Sequence, residues 1–146
     1  MYNRILLIGL IAWFGAQLSK TIIYWILNKK LDLRRFFGDG GMPSSHSAIV
    51  ASVATATGLQ CGWDSPLFAI AAVFALIVMH DAMGVRQETG KQAKVINNML
   101  KLFESMGRGE LTPEETLKEF VGHTGRQVMV GAISGIVTAL IMNLIL

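Results

Sequence analysis

Gly40-Gly41-Met42-Pro43-Ser44-Ser45-His46-Ser47-Ala48 stands between a basic segment and a run of small and apolar residues. Two glycines and a proline let backbone approach a ligand closely. Ser44 or Ser45 caps a following helix, whose first N–H groups and positive dipole end then face outward. His46 adds a side chain that gives or takes a proton near neutral pH. A helix start of this kind suits an anion such as phosphate. Pro-Ser-Ser is also an ordinary loop-to-helix junction, so the rest of the chain must decide between the two readings.

The chain has 146 residues, 52% of them hydrophobic and only 16% charged. A soluble domain carries about a quarter charged residues. The apolar residues also cluster in long runs, the pattern of membrane spans. The sequence therefore predicts an all-α integral membrane protein of the cell membrane. The single cysteine, Cys61, permits no internal disulfide, and no Cys/His spacing suits a metal. A net charge of +3 is too small and too local for nucleic acid, and fits contact with anionic membrane lipid.

From Ile5 to Leu27 the residues are apolar apart from Gln17, Ser19 and Lys20, long enough for a span. This run starts after Arg4 like a signal peptide, but it is too long and lacks a small-x-small cleavage site, so it reads as retained. Lys20 either snorkels to the headgroups or faces the bundle interior as a functional group. Lys29, Lys30, Arg34 and Arg35 make the next loop basic, which predicts that it is cytoplasmic. Ser47 to about Leu59 reads as a helix of small residues suited to close packing. After a turn at Gln60–Pro66, Leu67–Met79 returns the chain to His80-Asp81-Ala82-Met83-Gly84-Val85-Arg86.

Gln87 to about Gly107 carries Val95, Met99, Leu102 and Met106 at helical spacing, the pattern of an interfacial or cytoplasmic helix. Thr112-Pro113-Glu114-Glu115 signals another helix start, for a short helix to about Val121. Val128 to Leu146 is a last apolar run, with Gly131 and Gly135 as a small-xxx-small packing face. The expectation is a single membrane domain over residues 1–146, with about four transmembrane helices, one or two cytoplasmic or interfacial helices, and both termini outside.

That topology gathers Lys20, Arg34, Arg35, His46, Asp81, Arg86 and His123 on one membrane face. Two histidines at helix starts among several cations point to phosphoryl transfer without an obligatory metal. One imidazole attacks phosphorus, the other protonates the leaving oxygen, and cations and helix N-termini hold the equatorial oxygens.

Pro43-Ser44-Ser45-His46-Ser47 resembles the Pro-Ser-Gly-His signature of the type 2 phosphatidic acid phosphatase and vanadium haloperoxidase superfamily. His123 followed by Val128-Met129-Val130-Gly131-Ala132-Ile133-Ser134-Gly135 is similar to its third motif, where a nucleophilic histidine leads into an Asp-Val-x-x-Gly helix. Over nearly its whole length the chain looks like the divergent, small membrane branch, of which Gly-Gly-Met-Pro-Ser-Ser-His-Ser and Asp-Ala-Met-Gly-Val-Arg-Gln are distinctive. The resemblance implies His123 as the nucleophile that forms a phosphohistidine and His46 as the general acid. Gly41, Ser44, Ser45 and backbone N–H groups would hold the phosphate, and no cofactor is implied. Lys20 with Arg34 or Arg35 loosely matches the superfamily's Lys–Arg first motif, at a stretched spacing.

Three departures stand out. Ser45 replaces the motif glycine, and Thr116-Leu117 stands where a Ser-Arg pair is expected. Gln127 replaces an acidic residue that would orient the nucleophilic imidazole and stabilise its cation. Arg86 and Asp81 are the candidate replacements for the missing arginine and carboxylate. Asp81 either reaches His123 or pairs with Arg86 or caps the helix that follows.

The leading expectation is a membrane phosphatase acting on a phosphate-bearing amphiphile from the cytoplasmic face. Its rivals are a non-catalytic protein that binds or moves phospholipids, and a small scaffold. Four spans make a small cavity, so a homodimer with Gly131 and Gly135 at its interface is a further expectation.

Overall fold

The computed structural model describes residues 2–29, 41–107, 117 and 122–146. Five helices make up the described secondary structure: α1 (Arg4–Asn28), α2 (Ser45–Cys61), α3 (Pro66–Met83), α4 (Val85–Ser105) and α5 (Gly125–Ile145). The chain is an all-α membrane protein. Arg34, Arg35 and the expected short helix at 112–121, apart from Leu117, lie outside the described residues.

Local chemistry sets the helix ends. The Asn3 side chain accepts from Leu6 N at 3.0 Å to start α1, and Lys29 closes it in the left-handed region with its N–H on Trp25 O. Ser65 caps α3, with Pro66 at the first helical position, where a missing N–H costs nothing. The segment from His80 to Arg86, at which the third span was expected to arrive, is mostly helical. α3 runs through it to Met83, and only Gly84 separates α3 from α4.

Among the described residues, three stretches are long and apolar enough to cross a membrane: α1, α5, and the Pro66–Ser105 run that contains α3. The fourth expected span is α2. Its 17 residues reach only about 25 Å, against a hydrocarbon core of about 30 Å. It packs against α1, α3 and α5 and is buried along most of its length. Helix α2 is the centre of the fold.

Helices α2 and α5 run in the same direction. Ser44 N donates to Gln127 O at their starts, and Gln60 Nε2 donates to Asn143 Oδ1 towards their ends. A Cβ on Gly131 would collide with the Ser44 carbonyl oxygen, and one on Gly135 with that of Ala48. The small-xxx-small face is therefore consumed inside the chain, and a homodimer would have to use other residues. α1 and α3 run opposite to α2. The start of α1 joins the far ends of α2 and α5 in a cluster of Ile8, Ala56 and Ala139, and the end of α3 meets the start of α5 where His123 N donates to Ala82 O.

Candidate functional site

These directions bring the end of α1, the starts of α2 and α5 and the joint between α3 and α4 to one end of the bundle. Ser44 is the N-cap of α2. Its hydroxyl accepts from Ser47 N at 3.4 Å and from Ser47 Oγ at 3.0 Å, and all three groups are buried. Ser45, in the first turn, is buried too, and His46 is half-buried. With its own N–H spent on Gln127 O, Ser44 holds the start of α2 against the start of α5.

His123 sits two residues before α5 and is 4% exposed. Two backbone features put it there. Its N–H donates to Ala82 O at 2.9 Å, which ties it to the end of α3. Gly122, at φ 95°, lies so close to the Arg86–Gln87 peptide that a Cβ would stand 2.6 Å from Gln87 N. Only glycine combines that dihedral with that approach. The His123 ring lies with its centroid 6.2 Å from that of His46, the planes tilted by 56°. The two histidines, 77 residues apart in the chain (123 minus 46), share one site.

Gln127 does two jobs. Its side-chain oxygen accepts from Thr124 N at 2.9 Å while Thr124 Oγ1 accepts from Gln127 N, a reciprocal cap that starts α5. The same oxygen stands 3.4 Å from His123 Nδ1. A side-chain amide oxygen is acceptor-only, so this contact favours the tautomer with hydrogen on Nδ1. An amide thus fixes the tautomer that a carboxylate would fix, without the charge that would stabilise an imidazolium.

Lys20 is 5% exposed. It faces the bundle interior, and its stem runs along Gly41, where a Cβ would lie 3.0 Å from Lys20 Cγ. Gly41 has φ 85°, so the loop entering α2 bends over the lysine. One turn earlier on the same helix, Gln17 is also buried, and its Oε1 has no hydrogen-bond partner among the described residues. Asp81 accepts from Arg86 Nε at 3.1 Å, and both side chains are roughly two-fifths exposed. The alternative pairing of Asp81 is therefore the one present. In solvent such a pair contributes about 1 kcal/mol at most.

Asn97 was not singled out from the sequence. It is buried on α4, where its Nδ2 donates to Leu117 O at 2.9 Å and its Oδ1 accepts from Leu117 N at 3.0 Å. The clasp fixes the backbone where the superfamily's Ser-Arg pair would stand. Its signal in the sequence was slight: Gly90, Ala93 and Asn97 form a narrow small-and-polar stripe on a helix that reads as simply amphipathic.

Two histidines at helix starts, the capping serines and a buried lysine thus lie at one end of the bundle. Residues 1–138 match the divergent PAP2 family, and the chain belongs to that family. It is 40% identical to the uncharacterized membrane protein YuiD of Bacillus subtilis (strain 168), over 96% of this chain and 94% of that one. No solved structure matches the chain.

Proposed function

We propose that this protein is a metal-independent membrane phosphatase that hydrolyses a lipid phosphate, or a related phosphomonoester or pyrophosphate, through a phosphohistidine. The observation that carries this reading is the 6.2 Å spacing of the His46 and His123 rings at the starts of two parallel helices. A phosphorus in attack geometry stands about 3–3.5 Å from the attacking nitrogen, so one phosphoryl group bridges the two rings.

His123 Nε2 attacks phosphorus, and the bond from phosphorus to the leaving oxygen breaks as His46, protonated, gives that oxygen its proton. Water then attacks the phosphohistidine, neutral His46 takes the water's proton, and phosphate leaves with both imidazoles restored. Lys20, Ser45, the Gly41 backbone and the dipole end of α2 stabilise the equatorial oxygens. Asp81 and Arg86 pair with each other at the joint between α3 and α4, and the basic 29–35 stretch supports a cytoplasmic site with the termini outside.

Gln127 supports a second reading, a protein that binds a lipid phosphate without turning it over. Phosphate release by the protein in liposomes, with chelator present, separates the two. His123→Ala should reduce release to background, and His46→Ala should slow it by about a hundredfold or more. An acid-labile, alkali-stable phosphoryl label should appear on the unsubstituted chain and be lost with His123. Release that survives His123→Ala would sink the phosphohistidine route. Phosphate-dependent lipid binding without release would establish the second reading.

A further inference from the structure

Helices α1 and α3 flank α2 but make no contact with each other among the described residues. Helices α2 and α3 bound a cleft of about 360 Å³. Ile49, Val50 and Val53 of α2 line it from one side and Ala71, Phe74 and Val78 of α3 from the other. At its head is His46, which presents only apolar atoms to it. Phe74 is largely exposed and forms the outer rim.

We propose that this cleft holds the hydrocarbon tail of the substrate, and that the substrate is a phosphate ester of a single long chain. Three observations select this occupant. His46 belongs to both the cleft and the histidine pair, so a phosphate held between the rings starts its tail in the cleft. From His46 to Val53 the cleft follows α2 for about 10 Å, and its lining is apolar throughout. Its volume is at the lower end of the roughly 300–1,000 Å³ common for small-molecule sites, a size that suits one chain beside the helix.

Lipid-facing chains are already in hydrocarbon, so the cleft adds little hydrophobic affinity for a substrate dissolved in a bilayer. Its effect there is selection by shape. For short alkyl phosphates taken from water, each methylene that enters should raise affinity about fourfold, until the cleft is full.

The head-group contact rests on the phosphatase reading, whereas the tail's position does not require turnover, and the experiment uses that difference. The probe is dodecyl phosphate with a photoreactive diazirine midway along its chain, added to the unsubstituted protein in zwitterionic nanodiscs. Label should concentrate on Ile49, Val53 and Phe74. It should fall by about tenfold under excess dodecyl phosphate and persist under dodecanol. Ala71→Trp, which fills the cleft, should shift label away from Val53 and lower the preference for dodecyl over butyl phosphate.

Label spread evenly over lipid-facing α1, α3 and α5, or displaced equally by dodecanol, would show ordinary lipid in the cleft and overturn the proposal. So would absence of label there, as when a second copy of the chain covers it. Since the mapping is made on the unsubstituted chain, a poorly folding Ala71→Trp variant does not rescue the idea. Cleft labelling without phosphate release leaves this inference standing and removes the phosphatase. Release with labelling elsewhere does the opposite.

Discussion

Helices α2 and α3 lie side by side and reverse the rule by which soluble proteins are read. α3 carries large apolar residues and exposes them: Ile70 is 68% and Leu76 65% accessible, and only Ala75 and Ala82 are buried. α2 is built from Ser, Thr, Ala and Gly and is the core, with Ser47 and Ser52 fully buried. Lipid tails are as apolar as leucine, so a helix gains little by hiding leucine in a bilayer. What it gains is close approach, which small residues permit and large ones prevent. The hydroxyls of α2 enter the core cheaply because the helix satisfies them: Ser52 donates to Ile49 O, Thr55 to Ala51 O and Thr57 to Val53 O.

The contrast can be broken most sharply at the α2–α5 contact. Gly135→Leu drives a side chain into the Ala48 carbonyl, and its cost should be near the upper end of overpacking, about 3 kcal/mol. A thermal melt in mild detergent checks it, and a variant as stable as the parent would mean that α2 and α5 do not approach this closely.

At the start of α5, Gln127→Ala removes the side-chain half of the reciprocal cap, leaving the backbone N–H of residue 127 on Thr124 Oγ1, and should cost about 1 kcal/mol. Gln127→Glu keeps the cap, adds negative charge at a helix N-terminus and restores a carboxylate beside His123 Nδ1. It should leave stability at least unchanged and speed phosphate release. Glutamate that slows release without loss of stability would show that the amide is the better partner for this imidazole.

The smallest effect is expected on α3. Leu76→Ala should change stability by less than about 0.5 kcal/mol, since lipid refills the space. The same melt measures it, and a loss comparable to that of Gly135→Leu would place a protein surface against α3.

Much of this was legible in the residues. The runs from Ile5 and Val128 are long and apolar enough to read as spans from the sequence, whereas the 13 residues of Leu67–Met79 reach that length only within the longer helical stretch from Pro66. Gly131 and Gly135 were legible as a packing face, but not the partner they pack against. Two routes lay open to Lys20, and it took the interior one because Gly41 bends over it. Asn97 escaped notice since its partner is a backbone segment 20 residues later. Residues 30–40, with Arg34 and Arg35, lie outside the described residues.

By itself, the sequence determined the class of the molecule, its membrane habit and the residue types of its site. These depend on composition, periodicity and local capping, which neighbours along the chain supply. Only the tertiary structure decided that the weakest span is the central helix, that Gln127 both caps α5 and faces His123, and that His46 heads a cleft between α2 and α3. Gln127 reaches Thr124 and His123 over only three and four residues, whereas the other two facts are distances between residues far apart in the chain. Such distances are set by how closely helices can pack, and no stretch of sequence read alone contains them.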